Sequence, residues 1–169
     1  MVRGRKNLLH VQLPKRLKDA RKEAGHTRMG LSLLAGLGNN AVSRIEDEGR
    51  MPTVGTVEQL ARALGVAPIW LAFGIHAAQP PKPSAGCQQV GVRLRQVRGA
   101  RAYSVRALGE LAGISGAAVS AIENKPHMPS LATIEKLAKA LDVSPAWLAF
   151  GSDDGSKAQT ISTPLPLDR

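Results

Sequence analysis

The chain has little of what builds sheets, cross-links or metal sites. Aromatic residues make up only 3% of it, and runs of β-branched residues are missing, so few side chains suit a pleated surface. Ala, Leu, Arg and Lys favour helices instead. A single cysteine, Cys87, excludes an intrachain disulfide, and the four histidines are too scattered to offer metal-ligand spacing. No metal and no cofactor are expected. His26, His76 and His127 have no nucleophile or paired carboxylate beside them, and Cys87 carries no catalytic signature, so no enzyme is expected either. Leu8, Leu9, His10 and Val11 form too short and interrupted a run for the core of a signal peptide, and no stretch approaches membrane-spanning length. Acidic charge is also scarce, with 13 Asp and Glu against 23 Lys and Arg and a net charge of +10. That imbalance points to a polyanionic partner, nucleic acid ahead of membrane.

What the chain does have is one unit written twice. Residues 16–74 and 93–151 align without a gap at an offset of 77, with roughly 27 of 59 positions identical. Both copies run Leu-Ala-Gly (34–36 and 111–113), Ala-Val-Ser-x-Ile-Glu (41–46 and 118–123) and Met-Pro, and both close on Trp-Leu-Ala-Phe-Gly (70–74 and 147–151). The organisation expected is a basic arm over 1–15 carrying Arg3, Arg5, Lys6 and Lys15, a first domain over 16–74, a Pro-rich linker over 75–89, a second domain over 90–151, and a disordered polar tail over 152–169.

Apolar spacing within each copy is helical. Leu17, Ala20 and Ala24 share one face of a first helix, as do Val90, Leu94 and Val97 in the second copy. Thr27 and Ser104 are suited to cap a second helix with Leu31, Leu34 and Ala35, or Leu108, Leu111 and Ala112, turned inward; Gly36 and Gly113 then end it. A third helix buries Val42 and Ile45, or Val119 and Ile122. Thr53 and Ser130 cap a fourth helix with the stripe Val57, Leu60, Ala61 and Leu64, or Ile134, Leu137, Ala138 and Leu141, and Pro68 and Pro145 open a fifth that buries Trp70 or Trp147. The expected fold is all-α, with two tandem five-helix domains.

Two helices joined by a short glycine-containing turn describe a helix-turn-helix. With leucine, alanine, glycine and glutamate recurring at matching distances from Thr27 and from Ser104, and Trp-Leu-x-x-Gly after the fifth helix, the chain resembles the phage repressor and Cro family twice over. The resemblance implies lambda-repressor-like domains, a double-stranded DNA partner and a regulatory role in a bacterial or phage-infected cell, in the cytoplasm and at the nucleoid. It also implies a charge pair tying the third helix to the first, Arg21 with Glu46 and Arg98 with Glu123. Some family members carry a self-cleaving peptidase domain. The 18 residues after Gly151 are too few for one, so control by autoproteolysis is not expected.

The copies differ where the resemblance places function. It implies that bases are read from the first two residues of the third helix and from a position four to five further on, here Asn39, Asn40 and Arg44, with Ser43 beside them. Asparagine can pair bidentately with adenine and arginine with guanine. The matching residues of the second copy are Gly116, Ala117 and Ala121, which leave only methyl contacts and the hydroxyls of Ser115 and Ser120. At the start of helix two, where the family commonly has a backbone-touching glutamine, Arg28 stands in one copy and Val105 in the other. Backbone contacts are therefore expected from Thr27, Arg28, Arg3, Arg5 and Lys6, and nonspecific ones from Arg106 and Lys125. Pro126 replaces Gly49 and must alter the loop that follows.

The expected function is a sequence-specific transcriptional regulator acting as a repressor, in which the first repeat reads bases and the second serves assembly, phosphate contact or binding of a protein partner. With one reader per chain, a homodimer is expected. Two competing readings stay open: an antitoxin or adaptor whose DNA binding is autoregulatory, and a covalent pseudo-dimer whose repeats read unlike half-sites.

Overall fold

The computed structural model describes residues 9–76, 89–124 and 128–151. The expected contacts of Arg3, Arg5, Lys6 and Lys125, the effect of Pro126, most of the linker and the tail lie outside these residues. Within them the chain is all-α: a 3₁₀ turn at Leu9–Gln12, then α1 (Leu13–Glu23), α2 (Arg28–Leu34), α3 (Ala41–Glu46), α4 (Val54–Leu64) and α5 (Pro68–Phe73), and in the second repeat α6 (Val90–Ala100), α7 (Val105–Ala112), α8 (Gly116–Asn124), α9 (Leu131–Ala140) and α10 (Pro145–Phe150).

Side-chain caps set where helices begin. The hydroxyls of Thr27 and Ser104 accept from the amides of Gly30 and Ala107, both at 3.0 Å, and open α2 and α7. Thr53 and Ser130 do the same for Thr56 and Thr133 at 3.2 Å. Gly36 and Gly113 follow α2 and α7 with φ of 69° and 65°, a left-handed conformation that glycine adopts without steric cost.

The core differs from the expected stripes in three places. Leu34 and Leu111 are 58% and 59% exposed, and Ala24 is also exposed, whereas Ser32 and Gly109 take the inward position on α2 and α7. A run of Leu-Leu or Glu-Leu lets the pattern be phased one residue wrong, and only the facing helix decides. Trp70 and Trp147 are half-buried; the fully enclosed residues of α5 and α10 are Leu71, Ala72, Ala146, Leu148 and Ala149, with Ile69, Phe73 and Phe150 nearly so. The first domain also reaches further back than expected. Leu13, at the start of α1, is wholly buried, so the end of the expected arm is folded into the domain.

The two repeats pack on each other through equivalent residues. Thr53 and Ser130, which the 77-residue offset matches, form an antiparallel bridge. The Val54 amide donates to the Pro129 carbonyl at 3.0 Å, and the matching Leu131 amide to the Pro52 carbonyl at 3.2 Å. Phe73 and Phe150, also matched, meet edge to face with ring centroids 6.2 Å apart. Contact of each residue with its own counterpart is the mark of a two-fold axis. The seam is thus an approximate two-fold interface inside one chain. His10 adds a contact from the N-terminal turn: its backbone amide donates to Glu135 Oε1 at 2.8 Å, and its Nδ1 lies 2.9 Å from the same oxygen, with both side chains buried.

Candidate nucleic-acid interface

Alpha3 is held against the first repeat by charge as well as by Val42 and Ile45. Arg21 donates from Nε and Nη2 to the two carboxylate oxygens of Glu46 at 2.7 and 2.9 Å, and from Nη1 to the His26 carbonyl. The Glu46 side chain is fully buried. Burial alone would raise its pKa, but hydrogen bonds from Arg21 and Arg28 outweigh that and hold the carboxyl below its ordinary value. The Glu46 bond in turn raises the Arg21 pKa. Arg98 and Glu123 repeat the forked pair at 2.7 and 2.9 Å in the second domain. A buried, two-pronged pair fixes the angle of a helix and not merely its proximity.

Gly38, Asn39 and Asn40 precede α3, and the side chains of both asparagines are exposed. Asn40 stands at the N-cap without capping, since its side chain makes no hydrogen bond there. Asn39 and Asn40 were expected as the first residues of the helix; in the structure they form the turn before it. The cause is local, because Gly38 has no hydroxyl with which to start the helix earlier. Arg44 projects from the exposed face of α3 and lines a groove of about 290 Å³ together with Arg50, Thr53 and Thr56. Two asparagine amides and a guanidinium thus stand at one edge of the molecule with their donors and acceptors unspent.

The corresponding edge of the second repeat is built differently. Ser115 Oγ accepts from the Ala118 amide at 3.1 Å, so α8 starts at Gly116, two positions before the point matching the start of α3. Ser120 accepts from Asn124 through both its carbonyl and its hydroxyl. Both hydroxyl oxygens expected to compensate for lost readers therefore already accept a bond at their own helix, and each hydroxyl, like that of Thr27, keeps its proton. Gly109 and Gly116 bring α7 and α8 together: a Cβ on Gly109 would stand 2.8 Å from the Gly116 nitrogen and 2.9 Å from the Ile114 carbonyl. In the first repeat Ser32 fills the position of Gly109, its hydroxyl donating to the Arg28 carbonyl and accepting from the Val42 amide. Gly116 is consequently a packing residue as well as an absent reader, which sequence comparison alone did not reveal.

Several arginines counted in the basic balance are spent internally. Arg16 donates to the carbonyls of Leu71 and Ala72, and Arg93 to those of Leu148 and Ala149, closing the last helix of each repeat onto its first. Burial lowers the Arg16 pKa. Their identity at matched positions was the available signal, but the basic composition disguised it as surface charge. Among the expected backbone-contacting groups, Arg28 bonds Glu46 and Asp47 at 3.1 and 3.0 Å, and Arg106 pairs with Glu110 at 3.0 Å on an exposed helix face. Thr27 spends its oxygen as a cap and keeps its hydroxyl proton.

Paired short helices, an exposed polar edge and a basic balance define a DNA-binding transcription regulator with two all-α units. Residues 17–71 and 94–148 each match the model of the helix-turn-helix family, and the chain belongs to that family. Among solved structures it is similar to the restriction-modification controller protein C.AhdI from Aeromonas hydrophila at 37% identity, covering 37% of this chain and 94% of that one with a TM-score of 0.35. It is similar to the N-terminal DNA-binding domain of SinR from Bacillus subtilis at 35%, covering 36% and 90% with a TM-score of 0.34. It is also similar to the P22 c2 repressor protein, solved with a synthetic operator, at 33%, covering 37% and 96% with a TM-score of 0.36. No curated protein matches the chain. Among the described residues no single helix is long and apolar enough to cross a membrane.

Proposed function

We propose that this chain is a sequence-specific double-stranded DNA-binding repressor in which the first repeat reads bases by hydrogen bonds and the second holds the duplex with at most methyl contacts to bases. The observation that carries the reading is the contrast at the two matched helix starts: Asn39, Asn40 and Arg44 are exposed with unspent hydrogen-bonding groups, whereas the matched Gly116, Ala117 and Ala121 have none, and the oxygens of Ser115 and Ser120 already accept bonds at α8. Asparagine recognises adenine and arginine guanine across the major groove, and Ser43 lies beside them. Thr27 supplies a hydroxyl to phosphate, Arg28 its remaining N–H groups, and the basic residues before the first domain add charge. Repression follows from occlusion, since a protein seated on a promoter excludes polymerase from it.

Selection of bound sequences from a random duplex pool tests this. An adenine- and guanine-containing element that loses its definition when Arg44 is replaced by alanine is the expected result. Equal loss of affinity for selected and random DNA would refute the assignment of Arg44 as a reader. A selected motif that vanishes in Ala117 or Ala121 variants, but survives in Arg44→Ala, would move readout to the second repeat.

A further inference from the structure

We infer that one chain, not two, is the DNA-binding unit, and that its target is an unequal duplex site: one hydrogen-bonded half-site and, across the pseudo-two-fold axis, a half-site recognised only by shape, phosphate and methyl contacts. This rests on the DNA-binding reading above and adds the stoichiometry and symmetry of the site. The seam is the reason. Thr53 with Ser130 and Phe73 with Phe150 each join residues matched by the repeat, and Val54 on Pro129 is repeated as Leu131 on Pro52, so the chain already contains the isologous contact that a symmetric dimer forms between two molecules. His10 on Glu135 adds a buried bond that ties the start of the chain to the second repeat.

The seam also fixes where the two helix edges lie. Arg44 and Thr53 line the same groove, so α3 stands immediately beside the bridge, and the axis through Thr53 and Ser130 places α8 opposite it. A duplex spanning that axis meets α3 on one side and α8 on the other. At α8 it finds Ala117 and Ala121, whose methyl groups can touch thymine but cannot bond a base edge. The first half of the site is therefore constrained in sequence, and the second in shape and spacing. A second chain is not needed, because the surface that would recruit it is occupied in cis.

The bridge offers a direct test. With hydrogen bonds on either side of the Thr53–Ser130 pair, these residues form the close, non-hydrogen-bonded kind of antiparallel pair, with Cα atoms about 4.5 Å apart and within disulfide range. In the full chain, Thr53→Cys and Ser130→Cys are combined with Cys87→Ser, which removes the one native thiol. Oxidation should close the disulfide within single chains, seen as monomers by non-reducing electrophoresis that carry no free thiol after denaturation, whereas monomers that keep both thiols would overturn the inference. Covalent dimers would show that the seam forms between molecules and would overturn the inference. The unmodified chain gives the second measurement and carries no risk of misfolding: light scattering of its complex with a selected duplex should return one chain of 17.9 kDa per duplex, on a motif without a palindrome. Two chains on a palindromic site would overturn it. If the unmodified chain binds no duplex, the DNA reading falls and the unequal site with it, while the cross-link still reports whether the seam is internal.

Discussion

Arg44 and Gly109 show how unequally a side chain's role can be read from its identity. Arg44 is exposed beside the groove, and its replacement by alanine should cost about 1–3 kcal/mol on the selected site and relax preference at one base pair. A binding titration on that site and on single-base variants measures both effects. Gly109 makes a prediction whose sign is diagnostic. In the interior of an ordinary helix, glycine to alanine gains roughly 0.5–1 kcal/mol. Here the new Cβ would meet backbone at 2.8–2.9 Å, which a rotamer change cannot relieve. Gly109→Ala should therefore destabilise the protein by about 1–3 kcal/mol, as overpacked sites do. Chemical denaturation decides between gain and loss, and a gain would show that α7 and α8 have room for a methyl group between them.

At the scale of the element, α3 depends on one buried carboxylate. Arg21, Arg28 and the backbone around His26 converge on Glu46 or its partner, and the carboxyl pKa is lowered as a result. A group whose folded pKa lies below its unfolded value contributes stability above the unfolded value and loses it as pH falls through the folded one. Acid should therefore loosen the first repeat once the pH drops below the ordinary glutamate range. Glu46→Gln should cost about 3 kcal/mol near neutral pH by leaving Arg21 without its countercharge, with the gap to the parent protein narrowing as pH falls. Denaturation midpoints from pH 7 down to pH 3 would show this, and a gap independent of pH would mean that the carboxylate charge contributes nothing. The exposed Leu34 and Leu111 belong to the same scale. Helical spacing marked α2 and α7 as amphipathic, but the phase of the stripe depended on what faced them, Ser32 and Gly109 having taken the inner position.

The packed seam makes the two repeats one body. Buried residues of both repeats form a continuous apolar cluster, with Phe73 and Phe150 in contact across the axis. Thermal unfolding should then be a single transition, with Trp70 and Trp147 reporting the same midpoint when each is made the only tryptophan by a Trp→Phe change. Phe150→Ala should lower both midpoints together, at a cost of about 3–5 kcal/mol. Separate midpoints in the parent protein would mean that the repeats do not support each other. Affinity for DNA should also fall steeply with salt, as release of several counterions demands. Removing residues 1–6 should flatten that slope and leave the selected sequence unchanged, which titrations at several salt concentrations would measure. A changed sequence would instead assign base contacts to that segment.

Much of this was settled along the chain itself. The repeat, the four hydroxyl caps, the glycine turns at Gly36 and Gly113, the all-α class and the family follow from interactions that span only a few residues, or from a pattern printed twice. The arginine–glutamate pairs were accessible in the same way, through positions that recur with the family pattern. The phase of α2 and α7, the internal use of Arg16 and Arg93, the packing role of Gly116 and the seam through Thr53, Ser130 and the two phenylalanines were decided only by the tertiary structure. These depend on contacts between residues far apart in sequence. A side chain that caps its own helix can be read from its neighbours; one that meets its counterpart 77 positions away, or a backbone on the facing helix, has no local pattern to betray it.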